Sequence, residues 1–187
     1  MNVDNKFYWY TAGVAVLSWV LVELTGVIEI NRVEAPLHSP DYYSNGYTKW
    51  EMGELGTLKN KVLADEMMHY SDDGSTQLKT LTMSFYSDKA QPWVVKSETG
   101  TLSADGKDLW LNGHVVINRA GEPGVRELTI NTSNLKVKPE ISHAETTEWA
   151  ELLSPPNRTV GTGMELVFVE PISVKLLSHV KGKYEKK

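Results

Sequence analysis

Two hydrophobic regimes divide the chain. From Phe7 to Val22 the sequence "FYWYTAGVAVLSWVLV" runs 16 residues without a charge, and with Glu23 tolerated the apolar stretch extends to Ile30. At about 1.5 Å of rise per residue, a helix over residues 7–30 reaches about 36 Å, enough for a hydrocarbon core of about 30 Å. A cleavable secretion signal wants a basic start and a small-x-small exit. Here only Lys6 precedes the run, against Asp4, and "ELTGVIEINRVEAP" offers no Ala-x-Ala site. The pattern predicts an uncleaved single span. Lys6 on one flank and Arg32 on the other leave almost no charge bias. A short first segment with so little before it nonetheless behaves as a signal anchor, with residues 1–6 cytoplasmic and the bulk of the chain across the membrane.

Residues 31–41, "NRVEAPLHSPD", hold two prolines and no periodicity, which reads as a linker. From Tyr42 onward, over residues 42–187, the period changes to two. Turn signals recur at Asn45-Gly46, Asp73-Gly74, Asp105-Gly106, Asn112-Gly113 and Ala120 to Gly124. Short runs rich in Val, Leu, Thr and aromatics lie between them, the signature of a sandwich or barrel. The segment "TLKNKVLADEMMHYSDD" contains good helix formers, but Leu58, Val62 and Ala64 alternate as in a strand. It is read as strand, with helix as the competitor, and so is "ISHAETTEWAELL". A tight hairpin at Asn112-Gly113 would put Leu109 and Leu111 on one face with Val115 and Ile117. The same alternation turns Leu81, Met83 and Phe85 inward, with Trp93 and Val95, Leu128 and Ile130, Leu135 and Val137, and Met164 and Leu166. Trp110, His114 and Val116 point outward. One face of nearly every strand is apolar, as in an antiparallel sheet wrapped around a single greasy interior.

Charge and chemistry narrow the function. The net charge is −5, the only run of cations is the tail "KGKYEKK", and nucleic acid is not an expected partner. The absence of cysteine suits an oxidising compartment without demanding one. Asp65, Glu66, His69 and Asp72 are the densest group of metal-ligating types, but no zinc spacing is present and no metal is expected. "GTGMEL" lacks the third glycine of a dinucleotide loop and precedes a strand. No G-x-S-x-G, H-E-x-x-H or Walker loop occurs. The chain reads as a binding or structural protein without a cofactor, not as an enzyme.

Several segments resemble one family. "NGYTKWEMGELGTLKNKVLADEMMHYSD" is similar to the opening strands of the LptC family, with Gly56 at the turn and Tyr70-Ser71-Asp72 closing the segment. "PWVVKSETGTLSADGKDLWLNGHVVINR" resembles its central block through Trp93, Asp105-Gly106 and Gly113-His114-Val115. "LTINTSNLKVKPEISHAETTEWAEL", "GTGMELVF" and "KLLSHVKGKYE" follow in the family's order. The chain departs from the family at Pro155-Pro156, which replace a more regular strand and loop, and carries Glu23 late in the span. The outline, one span, a short linker and about 15 short strands with apolar interiors, also matches, and the resemblance implies an inner-membrane protein folded as a twisted β-jellyroll open at both ends in the periplasm. Its implied partners are lipopolysaccharide, the transmembrane subunits of the LptBFG ATP-binding-cassette transporter and the periplasmic bridge protein LptA. The protein would receive lipopolysaccharide from the transporter and pass it to LptA.

On that reading the inward residues Leu58, Val62, Leu81, Met83, Phe85, Trp93, Val95, Leu109, Leu111, Val115, Ile117, Leu128, Ile130, Met164 and Leu166 line a trough for acyl chains. The last strand, with Ile172, Val174, Leu176, Leu177, His179 and Val180, contains no proline or glycine and would add a neighbour's strand at its edge. In the span, Thr11, Ala15 and Ser18 fall on one helical face as small residues that permit close packing in lipid. With Glu23 they form the expected face toward the transporter. Two rivals share the anchor and strands: a tethered scaffold with a solid interior, and a tethered hydrolase, which would need convergent polar residues at one strand end.

Overall fold

The structure, a computed structural model, describes residues 5–24, 38–87 and 90–184. The chain divides into two compact units, residues 1–36 and 37–187. In the first, helix α1 spans Asn5–Leu24. Its 20 residues extend about 30 Å, and its stretch Phe7–Leu24 is long and apolar enough to cross a membrane. The expected remainder of the span, residues 25–30, lies outside the described residues, as do residues 1–4 and 31–37 of the expected cytoplasmic end and linker.

The second unit is one sheet of nine strands, each paired antiparallel with its neighbour in the chain. They are β1 (Pro40–Met52), β2 (Leu58–Tyr70), β3 (Thr76–Ser87), β4 (Ala90–Leu102), β5 (Leu109–Arg119), β6 (Leu128–Lys138), β7 (His143–Ser154), β8 (Asn157–Val167) and β9 (Ser173–Lys183). Both segments for which helix competed are strands, β2 and β7. The expected linker is two residues shorter at its end, since β1 already begins at Pro40. Gly56 lies in the β1–β2 turn, where its N–H donates to the Gly53 carbonyl at 3.0 Å. Pro155-Pro156 form the two-residue connection between Ser154 and its partner Asn157. The departure from the family pattern therefore falls in a tight turn.

The strands, nine in all and 11 to 13 residues long, are fewer and longer than the roughly 15 short ones expected, in part because two turn signals are not turns. Asn45-Gly46 lies inside β1 and Asn112-Gly113 inside β5, so the expected hairpin at the latter does not form. Gly113 has φ +75, the left-handed conformation a tight turn would use, but it serves a bulge between Leu111 and His114. A bulge adds one residue to one strand and bends it without reversing the chain. Leu109, Leu111, Val115 and Ile117 still share the inner face.

Similar irregularities cross the sheet in a seam. Register shifts fall between Ser97 and Thr99, Asn131 and Lys136, Thr146 and Trp149, and Val160 and Thr162. Thr80, Asn134, Gly163 and His179 adopt positive φ along the same line. Interrupting a ladder frees backbone groups, which must find other partners when buried. Hydroxyls and an amide supply them. Thr132 Oγ1 donates to the Trp149 carbonyl and Thr146 Oγ1 to that of Ser133, both at 2.9 Å. Ser97 Oγ reaches the carbonyls of Thr99 and Asn112, and Asn134 Oδ1 accepts the N–H of Gly113.

Bending at the seam lets the sheet fold over itself, so that its inner face becomes a core. Phe85 stands at the turn end of β3 and Phe168 follows β8 at the opposite end of the sheet, yet their rings stack 4.0 Å apart. Lys59 Nζ, at the start of β2, donates to the carbonyl of Glu140 beyond β6 at 2.6 Å. The two halves of the sheet thus cross, with one end of the first meeting the opposite end of the second.

Candidate functional site

The inner face is one apolar cluster drawn from β2 through β8 and closed by Phe168. Val62 of β2, Leu81, Met83 and Phe85 of β3, and Trp93 and Val95 of β4 enter it as expected. So do Leu109, Leu111, Val115 and Ile117 of β5, Ile130 of β6, and Met164 and Leu166 of β8. Leu128 packs against its margin, whereas Leu58 is half-buried at the beginning of β2 and stands outside it. Leu135 and Val137 are also inside. Sequence alternation missed Leu78, which stands three positions before Leu81 and belongs to the opposite parity. Thr80, at φ +51, breaks the alternation and turns both leucines inward. Phe168 was readable by carrying Met164 and Leu166 two residues further.

The cluster is tightly filled. Met83, Val95, Leu111 and Ile117 have no solvent exposure. A cavity of about 20 Å³ between Val62, Leu78, Leu102 and Leu109 offers room for about one water. The two crossing halves meet here through side chains. Among them is the aromatic group of Phe85, Phe168 and Trp93, the last edge-on to Phe168 at 5.9 Å.

Strands β1 and β9 terminate the sheet. In β9, Val174 and Leu176 pack against the core, as does Ile172 just before the strand. Leu177 and Val180 are more than half exposed, at 56% and 52%. His179 is exposed at φ +50, a bend within the edge. The predicted pairing residues thus divide between a face that holds β9 to the domain and one that looks outward.

On α1, Thr11, Ala15, Ser18 and Glu23 are exposed. Thr11 Oγ1 lies within hydrogen-bonding distance of the carbonyls of Phe7 and Tyr8, at 3.2 and 3.0 Å, so its hydroxyl has partners inside the helix. The four ligand-type residues near the β2–β3 turn do not converge. Glu66 pairs with Lys79 at 2.6 Å, His69 Nδ1 lies 3.2 Å from Thr76 Oγ1, and Asp72 meets His38 at 3.1 Å. The His38 ring stacks on Tyr70 at 4.1 Å, which ties the chain entering β1 to the end of β2.

An apolar helix long enough to cross a membrane, followed by a single antiparallel sheet folded around a greasy interior with a strand edge at each side, defines a β-jellyroll preceded by a candidate membrane span. The chain belongs to the family described as "Lipopolysaccharide-assembly, LptC-related", which it matches over residues 11–185. Among solved structures, it is similar to the crystal structure of LptH, described as the LptA homologous periplasmic component of the lipopolysaccharide transport device from Pseudomonas aeruginosa. The TM-score is 0.51 at 10% identity, covering 68% of this chain and 95% of that one. At that identity the likeness concerns the fold. The search of curated proteins finds no match. Membership of that family places the chain in lipopolysaccharide assembly.

Proposed function

We propose that the chain is the inner-membrane relay of lipopolysaccharide export. Anchored by α1 with its amino terminus in the cytoplasm, it takes lipopolysaccharide extracted by the ATP-binding-cassette transporter LptBFG. It then passes the lipid along its periplasmic interior to LptA. The helix face of Thr11, Ala15, Ser18 and Glu23 meets the transporter's transmembrane subunits, and the outward side of β9 pairs with the first strand of LptA. The role is binding and relay, without catalysis.

The observation that carries this reading is the continuity of the apolar face from β2 to β8 in a sheet whose first and last strands do not pair with each other. An acyl chain exposed to water costs about 0.8 kcal/mol per CH₂, so several chains crossing the periplasm need such a surface. Side-chain packing dominates the contact between the halves across the interior. Acyl chains can replace that packing while the backbone ladders stay intact. The rival, a scaffold that carries no lipid, draws on the complete burial of residues such as Met83 and Val95.

Photo-crosslinking separates the two. Residues installed at Met83, Phe85, Leu111 or Val115 are expected to label lipopolysaccharide when the transporter is supplied with ATP, and outward residues at Lys79 or Trp110 are not. Equal labelling from both sets, or none from the inner set, overturns the relay in favour of the scaffold.

A further inference from the structure

The inner face of β5 ends on an arginine. Arg119 continues the inward alternation of Val115 and Ile117, and pairs with Trp93 on β4 and Leu128 on β6. Its guanidinium carbon stands 5.5 Å from the centre of the Trp93 ring. Trp93 is 3% exposed and adjoins the stacked Phe85 and Phe168. In this corner two N–H donors, Trp93 Nε1 and Arg119 Nε, are buried without an acceptor among the described residues. A third such atom, Nδ1 of His143, belongs to the other face of the sheet, because Ala144 and Thr146 are the inward residues of β7.

A buried donor without an acceptor costs about 1–3 kcal/mol, and such groups in a folded protein call for an explanation. The face of Trp93 offsets part of the arginine's charge. It accepts neither the Nε hydrogen nor the indole's own. What both donors lack is an acceptor carrying negative charge, placed where the apolar interior reaches the end of β5. A phosphate satisfies that need, since guanidinium geometry matches its oxygens and charge-assisted bonds are the stronger class.

We propose that Arg119 and Trp93 bind a phosphate of the lipid whose acyl chains occupy the interior, making this corner the headgroup end of the carrier. The assignment rests on the relay reading above. Chains then lie against Phe85, Phe168 and the core beyond them, while the phosphate stays at the half-buried arginine.

The test uses the full chain in a neutral detergent and measures its affinity for phosphorylated lipid A and for the same lipid stripped by a phosphatase. Wild type is expected to prefer the phosphorylated form by about tenfold, the equivalent of about one charged hydrogen bond. Arg119→Gln should reduce that preference to about twofold or less without weakening binding of the stripped lipid. Arg119→Lys should keep part of it, and Trp93→Phe should lower it. Because the preference is a ratio within one preparation, partial unfolding of a variant does not imitate the result. A full preference in Arg119→Gln, or equal binding of both lipids by wild type, overturns the headgroup site and leaves the relay standing. Failure of wild type to bind either lipid overturns both. Binding of inorganic phosphate alone, abolished by Arg119→Gln, would make the corner a free-phosphate site and overturn the lipid assignment.

Discussion

Glu151 shows how the outer face of this sheet handles charge. Its carboxylate accepts hydrogen bonds from Arg158 Nε and, at 3.1 Å, from Asn131 Nδ2. Those two bonds, the arginine's first, hold the carboxyl below the usual range for glutamate. The folded state therefore binds this proton less readily than the unfolded state. The resulting stabilisation is complete above the ordinary glutamate value and is lost as pH falls through the lower folded one. Glu151→Gln is expected to lower the free energy of unfolding at pH 7 by at most about 1 kcal/mol, the range of exposed pairs. Urea titrations should show the gap between the two proteins closing below about pH 4. A gap that is the same at pH 7 and pH 3 would detach the effect from this carboxylate. Sequence alone could not bring the three residues together, because Asn131 reaches Glu151 only through the pairing of β6 with β7. Residue-scale legibility was good where alternation held, as for Met83 and Phe85, and failed at Leu78, where a left-handed threonine changes the parity.

Strand identity was more legible than strand length. Alternation of Leu58, Val62 and Ala64 sufficed to prefer strand over helix, since it places apolar or small side chains on one face at period two. Asn-Gly pairs were misleading because a glycine at positive φ fits a bulge as well as a turn. The seam these bulges form depends on the side chains that cap its freed carbonyls. Thr132, 3% exposed, holds the Trp149 carbonyl. Thr132→Val keeps the shape, adds a methyl to the interior and removes that donor, leaving the Trp149 carbonyl without its hydroxyl partner. Thermal or urea unfolding should show a loss of about 1–3 kcal/mol. Stability equal to or above wild type would mean that the threonine hydroxyl contributes nothing to the seam.

On the scale of the whole molecule, the core draws on residues from the sheet unit, with no residue of α1 in the cluster. A fragment beginning at Leu37 is therefore expected to fold without the anchor, stay in the aqueous phase on fractionation and give a β-type circular dichroism spectrum. A helical or disordered spectrum would show that the sheet needs the preceding residues. The same fragment gives access to the edge. Leu177→Pro removes a backbone donor from β9 and fixes φ. It should abolish association with LptA, whereas Leu177→Ala, which keeps the backbone, should weaken it less. If a folded Leu177→Pro fragment binds LptA as tightly as the parent, the handover uses another edge.

What the sequence determined by itself is local in origin. The apolar run up to Val22 specifies a helix that water cannot solvate favourably, period-two alternation specifies strands with one greasy face, and the order of motifs specifies the family. The helix and the strands depend on residues within a few positions of one another, and the family on the order of such local motifs along the chain. Tertiary structure decided what depends on partners far apart in sequence. It absorbed Asn45-Gly46 and Asn112-Gly113 into β1 and β5, so that fewer and longer strands form than the turn signals predict. It crossed the two halves so that Phe85 meets Phe168, and it brought Arg119 over Trp93 at the end of the interior. The physical reason is that a bulge and a turn use the same local backbone conformations. Only the pairing of neighbouring strands, and the burial that follows from it, selects between them.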